Sequence, residues 1–226
     1  MAPWSLNWYQ NGKVSQPAGT ACRVAPGGSG PGRYRILTAR PTKQEEKNVQ
    51  WLNEPAHWSE EPGVLTVTAD AGTDFWRTTG YGYIRDDGHL YATALAGDFD
   101  LSMRLRGAYT AQYDQAGAMV RVSERHWLKT GIEYFDGKIR FSTVVTNDYS
   151  SWAMAQLPAG LGELRLLLTR RGDAVEVRYA AGDGELELAA LAYLPPGEAL
   201  AGAMSAAPEG GGFQATFHDL TITPRP

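Results

Sequence analysis

The sequence predicts an all-β domain, a two-sheet antiparallel jelly-roll sandwich, on three observations. Apolar residues recur with period two rather than 3.6, turn-forming pairs break the chain at short intervals, and no amphipathic helix of about ten residues or more stands out. About ten to thirteen short strands in the last ~178 residues imply a sandwich or a barrel. No fixed-period repeat is present, which argues against a propeller or a solenoid. With 226 residues, 43% hydrophobic and 20% charged, the chain has room for one globular domain and an appendage, and is too polar for a membrane bundle.

Taken in order, residues 1–48 read as a flexible Gly/Pro-rich extension. The run Pro26-Gly-Gly-Ser-Gly-Pro-Gly32 cannot bury apolar surface, although Trp4 and Trp8 leave room for a short docked segment. The sandwich is expected over 49–226. Val64–Ala69 alternates apolar with β-branched polar residues, and Leu90–Leu95 forms the next run. Phe99, Leu101, Met103 and Leu105 alternate with Asp100, Ser102, Arg104 and Arg106, the pattern of a half-buried strand. Strands are then expected at Ala118–Val122, Trp127–Phe135, Lys138–Thr146, Leu164–Thr169, Val175–Tyr179, Leu186–Tyr193 and Gly212–Ile222. Turns fall at Asp86-Asp-Gly88, Asp136-Gly137, Arg171-Gly-Asp173 and Asp183-Gly184. Trp76 is expected to plug the core between the sheets.

One hairpin can be read residue by residue. Asp136-Gly137 is a favoured two-residue turn, so Phe135 faces Lys138, Glu133 faces Arg140, Ile132 faces Phe141, Lys129 faces Val144 and Trp127 faces Thr146. Successive side chains point to opposite faces. Leu128, Thr130, Ile132, Tyr134, Ile139, Phe141 and Val145 therefore form the core face, and Val120 and Val122 join it. Trp127, Lys129, Gly131, Glu133, Arg140, Ser142, Val144 and Thr146 form the other face. A five-residue connection from Ser123 to Trp127 sets Arg121 beside Lys129. Two cations and a carboxylate around a Trp offer a polar-ligand surface, while a solvated face with Glu133–Arg140 as an ordinary cross-strand pair has the same pattern.

Composition excludes several functions. The formal net charge of −4 leaves no positive field for a polyanion, so nucleic acid is not an expected partner. Cys22 is the only cysteine, which excludes an internal disulfide and a multi-Cys metal site. The start lacks the basic and apolar regions of a secretory signal, and the longest apolar runs fall far below the ~20 residues that span a bilayer. No membrane association and a cytoplasmic location are expected. His57, His89, His126 and His218 stand singly and read as surface or hydrogen-bonded structural residues. No Gly-x-Ser-x-Gly elbow is present, and no cofactor or metal is called for.

Ordered motifs add a family. Thr73-Asp-Phe-Trp-Arg-Thr-Thr-Gly-Tyr-Gly82, Gly97-Asp-Phe-Asp100, Gly107-Ala-Tyr-Thr-Ala-Gln-Tyr-Asp-Gln-Ala-Gly117, Trp127-Leu-Lys-Thr-Gly-Ile-Glu133 and Ser150-Ser-Trp152 occur in sequence. Over about Trp51 to Pro224 the chain resembles the regulation-of-enolase family of uncharacterised domains, itself similar in fold to the concanavalin A-like lectin/glucanase superfamily. The resemblance implies a jelly roll whose concave face holds a sugar, without fixing a reaction. Its motifs place Arg121, Trp127, Lys129 and Glu133 on the polar face, joined by Tyr113, Asp114, Gln115 and Trp152 from an adjoining edge. The family usually has Asp where this chain has Ser151, which would weaken any ligand or cation contact made there. Glucanases of the superfamily resemble one another in carboxylates two residues apart, and glycoside hydrolysis needs a pair. Glu133 has no acid at i+2, while Asp98/Asp100 and Glu185/Glu187 read as solvated edges.

The expected function is thus a carbohydrate or polar small-ligand binding domain rather than an enzyme. Trp127 is expected to stack on a sugar, Arg121 and Lys129 to bind hydroxyl or acidic groups, and Glu133 and Gln115 to orient hydrogen bonds, with Tyr113 and Trp152 alongside. The two cations suit an anionic sugar. The alternatives are a hydrolase or lyase using Glu133 as base with Lys129 or Tyr113 as acid, and a protein-interaction module that modulates a metabolic enzyme.

Overall fold

A computed structural model describes residues 49–225; the expected extension over residues 1–48 lies outside the described residues. The described chain is built of strands. β1 (Val49–Leu52), β2 (His57–Glu61) and β3 (Val64–Ala69) come first. A short ribbon of β4 (Phe75–Arg77) and β5 (Ile84–Asp86) precedes β6 (His89–Leu95) and β7 (Phe99–Gly107). Next come β8 (Gln115–Ser123), β9 (His126–Phe135), β10 (Lys138–Asn147) and β11 (Tyr149–Gln156). The chain closes with β12 (Leu164–Arg171), β13 (Ala174–Ala181), β14 (Glu187–Tyr193), β15 (Ala199–Ala206) and β16 (Phe213–Pro224). No helix among the described residues is long and apolar enough to cross a membrane.

Two seven-stranded antiparallel sheets form the sandwich. The first runs β1-β6-β15-β8-β9-β10-β11 and the second β14-β13-β12-β7-β16-β3-β2. The core between them is apolar. Leu65, Val67, Leu101, Leu105, Leu166, Leu168, Val177 and Phe217 from the second sheet meet Ala118, Val120, Leu128, Ile132, Phe141 and Ala201 from the first. In β7 and β12 burial alternates residue by residue, as the period-two pattern requires for a sheet with one wet face.

The β9–β10 hairpin has the expected register, with Phe135 opposite Lys138, Glu133 opposite Arg140, Lys129 opposite Val144 and Trp127 opposite Thr146. Its turn is made by Asp136 (φ 49°) and Gly137 (φ 73°), the left-handed pair that matches strand twist. Across β8–β9, however, Arg121 lies opposite Trp127, and Met119 takes the place expected for it opposite Lys129. A bulge between Arg121 and Ser123 absorbs the offset while leaving Arg121 on its expected face.

Sixteen strands form among the described residues where about ten to thirteen were expected, and six of them, β1, β2, β4, β5, β11 and β15, lie outside the expected runs. β15, Ala-Leu-Ala-Gly-Ala-Met-Ser-Ala, is poor in strand-forming residues, yet it sits in the middle of the first sheet. Its Gly202 passes so close to the Tyr91 carbonyl that a side chain there would collide. β11 is an edge strand whose alternation is blurred because most of it is exposed.

Candidate functional site

In β8 and β9 almost every residue is buried on both faces, which a two-layer sandwich alone does not produce. The cause is residues 70–88, a strap containing the β4–β5 ribbon, which lies over the outer face of the first sheet. Phe75 and Trp76 of the strap and Leu90, Met119, Trp127, Val144 and Met204 beneath it form a second, smaller apolar cluster. Trp76 is therefore buried, but under the strap rather than between the sheets as expected.

The strap is fastened at defined points. The Asp70 amide donates to His89 Nε2 at 3.0 Å, so the ring proton sits on Nδ1 and is donated to the Asn53 carbonyl at 2.7 Å. The Thr73 hydroxyl donates to the Asp70 carbonyl and accepts from the Ala207 amide. The Arg77 amide donates to Ser150 Oγ at 2.9 Å. Two ion pairs complete the attachment. Arg121 donates to both oxygens of Asp86 at 2.7 Å each, and Lys129 Nζ donates to the Phe75 carbonyl at 2.7 Å and Asp74 Oδ1 at 3.3 Å. The bidentate fork makes Arg121 a geometric clamp as well as a charge.

Beside the strap lies a small pocket lined by Asp74, Trp76, Tyr81, Tyr83, Tyr113, Gln115, Lys129, Glu133, Val144 and Trp152. Its volume is about 30 Å³, room for about one water molecule. Tyr81 and Tyr83 stand at its mouth, 49% and 44% exposed. Of the expected site residues the structure brings together Tyr113, Gln115, Lys129, Glu133 and Trp152. Arg121 and Trp127 stand outside the lining. Trp127 lies opposite the sandwich core, as parity requires, but it is fully buried next to Phe75 and has no ring face free for a sugar. Arg121 is held by Asp86. Pleat parity sorts residues between faces; it does not say whether a face meets water or another layer.

The Tyr113-Asp-Gln115 motif explains itself locally. Tyr113 adopts φ 67°, a left-handed conformation rarely used by aromatic residues. Asp114 Oδ2 accepts from the Thr110 and Ala111 amides at 2.8 Å each and so fixes the bend, and Gln115 Nε2 donates to Asp74 Oδ1 at 3.2 Å. The bend brings the Tyr113 hydroxyl within 3.3 Å of the Tyr81 hydroxyl. That hydrogen bond, helped by burial, pushes the Tyr81 hydroxyl up to about 12. Burial likewise raises the Glu133 carboxyl above the usual carboxylate range, against the opposing pull of the Lys129 charge and of Ser142 and Trp152. Trp152 Nε1 donates to Glu133 Oε2 at 3.0 Å and to Ser142 Oγ at 3.1 Å. Asp74, Trp76, Tyr81 and Tyr83 were not among the expected site residues. The first three lie in the Thr73–Gly82 motif and Tyr83 directly follows it, a stretch dense in aromatics and turn residues but too short in strand pattern to be placed.

Residues 51–225 match the family model described as a protein of unknown function, DUF1349. The chain belongs to this family. A relative named Regulation of enolase protein 1, from Saccharomyces cerevisiae, is 36% identical over 185 residues, covering 79% of this chain and 93% of its own length. Among solved structures, a functionally unknown S. cerevisiae protein superposes with TM-score 0.75 at 36% identity, over 79% of this chain and 97% of its own. The sandwich extends beyond the DUF1349 family at low identity. A GH43 protein from Bacillus licheniformis gives TM-score 0.63 at 15% identity, over 83% of this chain and 41% of its own. A legume lectin-like domain from Entamoeba histolytica gives TM-score 0.51 at 8% identity, over 79% and 91%. At these identities the likeness is one of fold.

Proposed function

We propose that this domain binds a carbohydrate or another polar small ligand at the pocket between the strap and β9–β11. The observation that carries the reading is the convergence of five aromatic rings on Asp74, Gln115, Lys129 and Glu133, all four buried, around one opening. Burying charge costs several kcal/mol per ion before pairing returns any of it. A sheet face filled with apolar residues would avoid that cost, so the polar cluster is best accounted for by what it holds. Sugar rings present an apolar face to aromatic rings and hydroxyls to polar side chains, which is the mixture at this mouth. The pocket is too small for a whole pyranose. One substituent enters while the ring rests on Tyr81 and Tyr83. The glycosidase and lectin-like sandwiches of the same fold are compatible with this reading.

Catalysis fits less well. Asp74 supplies a second carboxyl beside Glu133, but its Oδ1 already accepts from the Phe75 amide, Gln115 and Lys129. The relative's name supports a second reading, a domain that acts on a metabolic enzyme by contact. Tyr149, Leu188, Leu191 and Tyr193 are exposed and could supply apolar contact area. Calorimetry and thermal melts with neutral oligosaccharides and uronic acids test the first reading. A ligand that raises Tm and loses at least about tenfold in affinity in Trp152→Phe or Tyr81→Ala supports it; no sugar shifting Tm overturns it. Titration against purified enolase tests the second.

A further inference from the structure

We propose that the group this pocket accepts is a protonated amine, so that the ligand is an amino sugar or another small ammonium rather than an acidic sugar. The inference rests on the pocket being the binding site, and it reverses the charge preference expected from the sequence.

Four aromatic side chains close a box. Trp76 meets Tyr81 at 5.5 Å between ring centroids with an interplanar angle of 72°, and meets Trp152 at 6.3 Å and 84°. Trp152 in turn meets Tyr113 at 6.2 Å and 63°. The Tyr113 and Tyr81 hydroxyls, 3.3 Å apart, complete the circuit. Steeply angled rings make walls rather than a stack, and their electron-rich faces attract a cation. Tyr83, stacked on Tyr81 at 5.7 Å and 24°, extends one wall toward solvent.

The charges agree. Both cations that favoured an anion are engaged: Arg121 lies outside the pocket on Asp86, and Lys129 is held by Asp74 and the Phe75 carbonyl. Two carboxyls then face one ammonium in the lining. Glu133, only 5% exposed, has no cation within ion-pair distance among the described residues, and feels the Lys129 charge only from further away while that ammonium contacts Asp74. Its cross-strand neighbour is Arg140, yet its carboxylate turns instead to the neutral indole N–H of Trp152. A buried carboxylate whose direct hydrogen-bond donor is neutral gains from a positive partner in contact with it. The pocket's about 30 Å³ also suits a small head group better than a ring.

Titration calorimetry of the full chain with glucosamine, N-acetylglucosamine, glucose, glucuronate and methylammonium chloride tests this. Glucosamine is expected to bind at least about tenfold tighter than its N-acetyl and hydroxyl counterparts, with glucuronate weakest. Glu133→Gln keeps an acceptor for Trp152 and is expected to erase that preference while the fold, followed by circular dichroism, is retained. Glucose or glucuronate binding as tightly as glucosamine, or an unchanged preference in Glu133→Gln, overturns the ammonium assignment and leaves the carbohydrate reading standing. Methylammonium binding with every sugar silent overturns the carbohydrate reading and keeps the ammonium site. Silence from all five probes overturns both.

Discussion

On the inner face of β8–β10, Val120, Leu128, Ile132 and Phe141 pack against the apolar residues of the second sheet. One residue along each strand, on the outer face, Met119, Trp127, Lys129 and Glu133 are just as dry but are sealed by the strap. The inner face is held by contact area, which is non-directional and tolerant of which apolar neighbour supplies it. The outer face depends on individually matched atoms, since each buried polar group left without a partner carries a penalty. One sheet thus uses its two sides for different work, bulk stability within and polar recognition without.

Mutations that separate the two faces can break or sharpen this contrast. The largest effect is expected inside. Phe141 stacks on Tyr179 at 4.0 Å and 14°, and Phe141→Ala should lower the unfolding free energy by about 3–5 kcal/mol in urea titrations. A loss below about 1 kcal/mol would mean the layers close over the cavity. Next comes Asp74→Ala, which strands the buried Lys129 ammonium and should remove about 3 kcal/mol. Adding Lys129→Met should recover much of that; a double variant as weak as the single one would show that the pair does not act as a unit. Arg121→Ala should remove about 1–2 kcal/mol, because its partner Asp86 is one-third exposed and water replaces part of the interaction. The smallest effect has the opposite sign. Burial raises the folded-state Glu133 carboxyl above its ordinary 4.5, so between that value and the raised one the folded protein holds the extra proton. Stability from this group therefore falls as pH rises through that interval. Glu133→Gln should flatten the slope and raise Tm at neutral pH; parallel Tm–pH curves for parent and variant would remove Glu133 from the account.

Much of the inner face could be read in the sequence. Alternation and the Asp136-Gly137 turn give the β9–β10 register because a one-residue slip would exchange every side chain between faces. The outer face was legible only in part. Parity put Trp127, Lys129 and Glu133 on one side, but the same letters would describe a wet surface. The clue lay in Met119, Trp127 and Val144, three apolar residues on a nominally polar face that formed the second cluster. The β4–β5 ribbon left a weak signal, since three-residue strands have little propensity and are held here by Arg121, Lys129 and Ser150 from other strands. β15 was hidden for a different reason: its alanines and glycine answer to close backbone approach, not to strand preference.

The strap is also the crossing by which the chain leaves β3 in the second sheet and enters β6 in the first. It cannot be deleted without severing the route between layers, so the roof is as permanent as the walls. Its tip is another matter. Residues 78–83 carry two left-handed glycines, Gly80 and Gly82, with open space around each, and sit beyond the clamps at Asp74 and Asp86. Loops of other length or chemistry could be grafted between those clamps, retailoring the doorway while the foundations stay in place.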